Sequence, residues 1–587
     1  MRRNTSLSIS SISSLSSPVS ESPRENSIGK DRSFWLAQPQ ISTGLPSPLI
    51  KYEEESRRRP SLLERIKAKA RLRQLVPAFA AIILFLCYYC PPVWSHSSQH
   101  NALSTNQDTT GTALPDHPSP FVVTDKHGRP RWTVHIPDSY SFPLRPEQYK
   151  DICAASDDLN RDFARKDSYY GNHGKSLWKQ RKHYYAKDRA FLDVLEAKQM
   201  GLLPASTQTR INLVGYNDAL SKQDKVCGKS LTFVMESGDA GFGNTLLALW
   251  LSYGLAKKEG RAFFINDSKW AYGKYTSYFP APPMPNCAPP PPSQVLPCQH
   301  SAHHLVVSAA TFPWTFGPSF QQQFEDTRKH GVNKQKQIYD MLRAGYEDLY
   351  QIIGEDASFA QRRIDELHKE SEASDNPIIG MHIRRGDRHP FEYQFSHDYL
   401  PLERYTLAAQ DLLHALINVS SSHPATSSPR LLLASDDPDI HVSTDLLATL
   451  PPQISVVRAQ DRILLASKRT LTPSRPLREP GSAYTKHVDE NSGWEGGFYA
   501  ALFSSLGKPR GAPPSTDVPE QTMRLRELVG RAYLLDLHVL GSADAVVCGS
   551  SSAACRVLGV MMGWEKVVRG DWRNVDDGRE WSWNGMC

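Results

Sequence analysis

Short apolar runs alternate with helical patterns in the middle of the chain. Residues 231–235 predict a strand, residues 238–244 (GDAGFGN) a glycine-rich turn, and residues 245–258 a buried helix. A second strand is predicted at 261–266. A strand, a helix and a strand in this order form a βαβ unit, whose two strands are parallel.

The same alternation returns from residue 378 onward. Strands are predicted at 378–383, 430–434, 454–458 and 545–548, and helices at 402–417, 525–540 and 553–562. A long polar insertion occupies residues 468–520. Repeated strand–turn–helix units favour parallel sheets that bind ligands at the carboxyl ends of their strands. We therefore expect an α/β fold of two Rossmann-like lobes, an N-terminal lobe at 141–373 and a C-terminal lobe at 374–587.

The first 140 residues follow a different pattern. Residues 1–74 are rich in serine and basic residues without an apolar period, which is typical of a disordered tail. The uncharged run at 75–94 is long enough for a transmembrane helix, although a buried core helix or a signal peptide is the alternative. The positive-inside rule places the tail in the cytoplasm. Residues 95–140 would then form a lumenal stem, and the protein would be a single-pass type II membrane protein.

The net charge of +6 is concentrated in the tail. Residues 1–74 contain 14 Lys and Arg against 7 Asp and Glu, whereas the remaining 513 residues contain 54 and 55. A neutral body argues against a nucleic-acid-binding face. The apolar fraction of 40% and the charged fraction of 22% exclude collagen, coiled coil and a wholly disordered chain.

A lumenal location permits disulfides and glycosylation. Two pairs of cysteines are close in sequence without the spacing of a metal site, so local bridges are favoured over zinc: Cys548 with Cys555, and Cys287 with Cys298. Seven cysteines follow the predicted membrane segment, and this odd number leaves one thiol over, for which Cys587 is the candidate. Asn266 and Asn418 begin potential glycosylation motifs.

The densest chemical signal is residues 380–387 (GMHIRRGD), at the end of a predicted strand. His382 and Arg384 lie on the same face of that strand. The adjacent Arg384 and Arg385 can bind a diphosphate, because guanidinium groups match phosphate oxygens in pairs. Asp387 can hold one guanidinium in place. A surface ion cluster is the alternative interpretation.

Two further strand–helix turns carry weaker signals. Residues 549–552 (GSSS) place hydroxyl and N–H groups at a helix N-terminus, which favours an anion, although ordinary helix capping explains the same residues. Gly241 and Gly243 lie in the other turn, where a short Gly-x-Gly is weak evidence by itself. An acidic pair, Asp437 and Asp439, has the form of a metal-binding motif, but capping of the next helix is favoured over metal binding.

Three blocks in order resemble the α-1,6-fucosyltransferase family, glycosyltransferase family 23. They are residues 382–387 (HIRRGD), residues 434–438 (ASDDP), and residues 534–538 (LLDLH) followed by residues 543–557 (ADAVVCGSSSAACRV). Residues 270–273 (WAYG) add a weaker match. The resemblance covers roughly residues 225–570, and three ordered blocks are more specific than one.

The resemblance implies a GT-B-like Golgi enzyme that transfers fucose from GDP-fucose to a glycan of the N-glycan type, with inversion and without an obligatory metal or other cofactor. Glu392 would be the general base, assisted by Arg384 and Arg388. The donor would be bound by residues from both lobes: His382, Arg384, Arg385, Asp387, Gly241, Gly243, Tyr272, Asp536, Ser551 and Ser552. Cys548 and Cys555 would form a short structural bridge.

The chain also departs from that family. The third block is followed by about 30 residues, so the C-terminal SH3-like domain of the family is not expected. The predicted stem has no heptad pattern, and the loops that recognise the acceptor are reshaped. Alternatives are therefore transfer of another nucleotide sugar, fucose transfer to protein hydroxyls, or a catalytically silent membrane-anchored lectin or scaffold.

Overall fold

The computed structural model describes residues 114–170, 184–186, 188–205, 211–216, 225–236, 241–384, 400–420, 429–437, 440–464, 518–550 and 552–584. These residues belong to one compact unit. The predicted tail, the predicted membrane segment and most of the polar insertion lie outside them. Within these ranges, no helix has the length and apolar character needed to cross a membrane.

The described chain begins with an antiparallel hairpin of β1 (Ser119–Thr124) and β2 (Pro130–His135), followed by α1 (Pro146–Tyr170) and α2 (Val194–Gln199). Trp132 of β2 is fully buried and packs on Phe191, with 4.9 Å between ring centroids. Part of the segment predicted as a stem is therefore folded. The sequence signal is weak there because β1 is only partly buried and so lacks a clear apolar alternation.

The first parallel sheet contains β3 (Ser230–Glu236), β4 (Ala262–Lys269), β5 (Leu296–Pro297) and β6 (His304–Val307), in the order β4-β3-β6-β5. Helix α3 (Phe242–Glu259) connects β3 to β4, which confirms the predicted βαβ unit. All seven residues of β3 are buried, as expected for a central strand covered on both faces.

Four helices follow: α4 (Phe312–Thr315), α5 (Pro318–Phe324), α6 (Lys336–Leu349) and α7 (Gly354–Ser374). Helix α6 crosses α3 at very short range through Gly254 and Gly345. A Cβ atom at Gly254 would lie 2.2 Å from the carbonyl oxygen of Met341, and one at Gly345 would lie 2.3 Å from that of Trp250. The crossing therefore requires glycine on both helices.

The second parallel sheet has the order β11-β10-β7-β8-β9. Its strands are β7 (Ile379–Ile383), β8 (Arg430–Ser435), β9 (Ser455–Arg458), β10 (Ala545–Cys548) and β11 (Trp572–Asn574). The helices of this half are α8 (Leu402–Ser420), α9 (Thr444–Ala448), α10 (Glu520–Gly541), α11 (Ala553–Met562) and α12 (Trp564–Arg569). Two parallel sheets with helices confirm the predicted α/β class.

The two sheets share one apolar core, which extends from Leu231 of β3 to Val546 of β10. The segment after β11 also joins the two halves. The indole of Trp583 donates to Glu325 at 2.9 Å, and the backbone N–H of Trp583 donates to Gln335 at 3.1 Å. The phenol of Tyr339 on α6 donates to the carbonyl of Gly559 on α11 at 2.8 Å.

Three disulfides are present in the described part of the chain: Cys153–Cys298, Cys227–Cys287 and Cys548–Cys555. The Cys548–Cys555 bridge is confirmed. A local bridge between Cys287 and Cys298 is wrong, because each pairs with a more distant partner, across 60 and 145 residues. Closeness in sequence did not predict these two pairings, because the fold brings cysteines from remote segments together. Cys587 lies outside the described residues.

Asn266 is not available for glycosylation in this fold. Its side chain is 1% exposed. Its amide donates to the carbonyl of Asn212 at 2.6 Å, and its oxygen accepts from the hydroxyl of Ser268 at 2.7 Å. The side chain of Asn418 lies outside the described residues.

Candidate active site

A cavity of about 150 Å³ lies where the two halves meet. Its walls are the first turn of α3, the end of β7, the turn after β8, one face of α10 and the first turn of α11. The described lining residues are Gly241, Phe242, Gly243, Asn244, His382, Arg384, Asp436, Tyr533, Ser552, Ala553, Ala554 and Arg556. The carboxyl ends of strands from both sheets therefore supply one site, as the strand–turn–helix pattern predicts.

The first turns of α3 and α11 are in direct contact. A Cβ atom at Gly243 would lie 2.5 Å from the phenol oxygen of Tyr533 and 2.9 Å from Cβ of Ala553. Only glycine at position 243 lets the two helix starts approach this closely. The glycine-rich turn is thus explained by packing across the cavity.

Neither helix is capped by its own N-cap side chain. Gly241, the N-cap of α3, has no side chain, and the hydroxyl of Ser552, the N-cap of α11, makes no capping hydrogen bond. Among the described residues, four backbone N–H groups of these first turns have no hydrogen-bond partner: those of Gly243, Asn244, Ala553 and Ala554. N–H groups at helix N-termini form a ready site for an anion. The capping alternative for residues 549–552 is not supported at Ser552.

His382 and Arg384 occupy the end of β7. His382 is 6% exposed, and burial together with the neighbouring Arg384 lowers the pKa of its imidazole to about 4. The ring is therefore neutral near pH 7. Its Nδ1 atom has no hydrogen-bond partner within the part of the chain that the structure describes. A buried, neutral imidazole beside a guanidinium can hydrogen-bond a ligand without adding charge.

Arg556 is a cation of the cavity that the sequence analysis did not select. It lies four residues after Ser552 on α11, so both side chains are on one helical face. A cation near a helix N-terminus opposes the helix dipole. Arg384 and Arg556 line the same cavity as the two helix starts, and Asp436 is the carboxylate among the described lining residues. The (i, i+4) spacing from the turn was the signal that could have identified Arg556.

No protein-family model and no curated protein matches this chain. Solved structures match part of it. NodZ alpha-1,6-fucosyltransferase soaked with GDP-fucose is 14% identical with a TM-score of 0.29, covering 57% of this chain and 92% of that chain. Fucosyltransferase NodZ from Bradyrhizobium is 13% identical with a TM-score of 0.27, covering 56% and 92%. Arabidopsis thaliana FUT1 in complex with GDP is 10% identical with a TM-score of 0.30, covering 58% and 71%.

These structural neighbours are fucosyltransferases, and NodZ carries the α-1,6 name of the family that the three motif blocks resemble. At these TM-scores the likeness carries no argument about what this chain does.

Five of the predicted site residues lie outside the described residues: Arg385, Asp387, Arg388, Glu392 and Ser551. Their predicted roles stay predictions. Of the others, His382, Arg384, Gly241, Gly243 and Ser552 all line the cavity.

Tyr272 is placed differently from its prediction. It is fully buried and packs edge-on against Phe242, with 4.8 Å between ring centroids. Burial raises the pKa of its phenol, and the backbone N–H of Phe242 opposes that rise. Tyr272 therefore supports the start of α3 from behind, one layer away from the cavity that it was expected to line.

Asp536 also lies behind the described lining, on α10. Its carboxyl group is partly buried, and burial raises its pKa to about 8, although a hydrogen bond with Gln460 and the charge of Arg458 favour the ionised form.

The acidic residues of the turn after β8 have different positions. Asp436 lines the cavity, the backbone N–H of Asp437 donates to the hydroxyl of Ser435 at 3.0 Å, and Asp439 lies outside the described residues. The described residues contain no group of three or more potential metal ligands.

Proposed function

We propose that the protein is a glycosyltransferase that binds GDP-fucose and transfers fucose to a glycan hydroxyl group with inversion. One observation carries the proposal. One cavity is lined by the first turns of two helices and by the side chains of Arg384 and Arg556, and four backbone N–H groups of those turns have no partner among the described residues. This donor set suits the diphosphate of a nucleotide sugar, and the motif blocks favour GDP-fucose within that class.

The same groups would stabilise the transition state. As the bond from fucose to the diphosphate breaks, negative charge develops on GDP. Preorganised N–H groups and guanidinium groups stabilise such charge without reorganising. Arg384 and Arg556 would thereby provide the positive charge that a divalent cation provides in other transferases, so we propose no obligatory metal. Glu392 remains the proposed base that accepts the proton of the attacking hydroxyl group.

The acceptor and the location are further proposals. We propose an acceptor of the N-glycan type, on the motif resemblance, and a type II protein of the Golgi membrane. The uncharged run at 75–94 and the basic residues before it support the membrane proposal. Three disulfides in the described residues are compatible with a lumenal location.

A transfer assay tests the proposal. The full-length protein is incubated with labelled GDP-fucose, GDP-mannose or UDP-sugars and a mixture of glycan acceptors. We expect transfer of fucose only. We expect the Arg384→Ala variant to lose at least about 99% of this activity, since removing one hydrogen-bond donor to the transition state typically lowers kcat by about 10²–10³-fold. The Arg430→Ala variant, which changes an exposed arginine at the opposite end of the sheet, is the matched control.

Each other result has a definite meaning. Transfer of another sugar would refute the assignment of fucose but would still show that the protein is a glycosyltransferase. Binding of GDP without transfer to any acceptor would favour the lectin or scaffold. Full activity in Arg384→Ala would refute the role of the cavity.

A further inference from the structure

The turn that leads from β10 into α11 is held from three sides. The disulfide between Cys548 and Cys555 closes it at its base. The N–H of Val575 donates to the carbonyl of Cys548 at 3.0 Å, and the indole of Trp572 donates to the carbonyl of Cys555 at 2.8 Å. Strand β11 and Val575 directly after it, which follow the turn by some 20 residues, therefore supply two of these three contacts.

Asn574, the last residue of β11, makes the contact that reaches into the turn itself. Its side-chain oxygen accepts from the backbone N–H of Ser550 at 2.9 Å and from that of Asp576 at 3.0 Å. Its amide donates to Asp577 Oδ1 at 2.6 Å and to the carbonyl of Arg579 at 3.3 Å. The residue is 5% exposed, and all of these partners are within the protein.

The N–H groups around this turn differ in whether they have a partner. The N–H of Ser550 is bound to Asn574, and the N–H of Ser552 donates to the carbonyl of Gly549 at 3.0 Å. The next two N–H groups, of Ala553 and Ala554, have no partner among the described residues, and both residues line the cavity. Asn574 therefore holds the backbone three residues before the first of these two donors.

We propose that Asn574 is a positioning residue for the anion-binding turn, and that it acts on the phosphates of the donor through the backbone of Ser550 without touching the ligand. The inference rests on the proposed function, since it assumes that a nucleoside diphosphate occupies the cavity. It concerns only the phosphate end, so recognition of the nucleoside should not depend on Asn574.

The Asn574→Leu variant removes both acceptor bonds while keeping the volume of the side chain. We expect its dissociation constant for GDP to rise about tenfold, the size of one net hydrogen bond. Binding of guanosine, which has no phosphate, should be unchanged when measured by saturation-transfer NMR. The matched control is Asp544→Leu, because Asp544 accepts the N–H of Ile378 at 2.8 Å at the opposite end of β10. It should lose comparable stability and keep GDP affinity.

A carboxylate at position 574 gives a second test. Asn574→Asp keeps an acceptor for the N–H of Ser550 but faces Asp577 and the carbonyl of Arg579 without a donor. Repulsion from these two acceptors should displace the side chain, so GDP affinity should fall while guanosine binding is unchanged.

A readout without ligand completes the test. Hydrogen exchange of the peptide that contains the N–H of Ser550 should be faster in Asn574→Leu than in the wild type. If wild-type protein does not bind GDP, the proposed function fails. If wild-type protein binds GDP and Asn574→Leu binds it equally well, the positioning role is refuted. Equal losses of GDP and guanosine binding would likewise refute it, because they would indicate general unfolding of the site.

Discussion

Replacing Gly243 with alanine tests whether the two helix starts meet as the structure describes. The added methyl carbon would lie 2.9 Å from Cβ of Ala553 and 2.5 Å from the phenol oxygen of Tyr533. Carbon atoms in contact are normally about 3.5–4.0 Å apart, so α3 and α11 would have to separate by roughly 0.6 Å or more. The variant therefore enlarges the gap between the two helix starts that carry the four N–H groups.

Two opposing contributions determine how Gly243→Ala changes the free energy of unfolding. Overpacking of a closely packed site costs about 1–3 kcal/mol. Alanine gains at most about 1 kcal/mol over glycine in a helix, and less in its first turn. We expect the free energy of unfolding of Gly243→Ala to fall by about 1–2 kcal/mol, and GDP affinity to fall at least about tenfold because the donors move apart.

Urea denaturation followed by tryptophan fluorescence measures the first quantity, and calorimetric titration of GDP measures the second. Gly228→Ala is the matched control, because a Cβ atom there meets nothing within 4 Å and should leave both quantities unchanged. If Gly243→Ala unfolds with the same free energy as the wild type and binds GDP normally, the close contact between α3 and α11 is refuted.

Three further predictions concern other parts of the molecule. Burial raises the pKa of Asp536 to about 8, so the folded state keeps a proton that the unfolded chain releases near pH 4. The difference in unfolding free energy between the wild type and Asp536→Asn should therefore fall as pH rises from about 4 to 8, measured by denaturation at several pH values. Peptide mass spectrometry of the protein after expression through a eukaryotic secretory pathway should find Asn266 unmodified, and a glycan there would contradict its burial. Trp581→Ala should lower the free energy of unfolding, measured by denaturation, by about 3–5 kcal/mol. The indole is 1% exposed, packs on Tyr339 and donates to the carbonyl of Arg556. A loss below about 1 kcal/mol would contradict that packing.

Much of the fold could be predicted from local patterns. The strands β3, β7, β8 and β10 are largely apolar and mostly buried, and such short apolar runs are visible without knowledge of their neighbours. The short strands β5 and β11 were missed, because two or three residues give no period. They are ordered by their partners in the sheet, which the local sequence does not show.

The site residues that could be predicted are those whose position in a local motif places them at the cavity. His382, Arg384 and Ser552 were identified because each lies at a strand end or a helix start. Arg556 was missed although its (i, i+4) spacing from Ser552 was visible in the sequence. Asn574 was missed because its importance depends on a segment that the fold brings close to it. Asn574 is 24 residues from Ser550 in sequence and 2.9 Å from it in space.

The same reason explains the placements that were wrong or shifted. A motif match assigned Tyr272 to the cavity, but the aromatic cluster around Phe242 holds it one layer behind. The pairing of Cys287 depends on the approach of Cys227 from 60 residues away. Packing between remote segments decides both, and no local period reports it.

The most direct test of the central claim is calorimetric titration of GDP into the full-length protein and into its Arg556→Ala variant. Arg556 lies within the third motif block, but its place in the cavity was recognised only from the structure, so this residue tests the cavity itself. The account predicts binding of one GDP per chain, at least tenfold weaker in Arg556→Ala and unchanged in Arg430→Ala. Absence of GDP binding by folded protein, or equal binding by wild type and Arg556→Ala, would contradict the claim that this cavity holds the diphosphate.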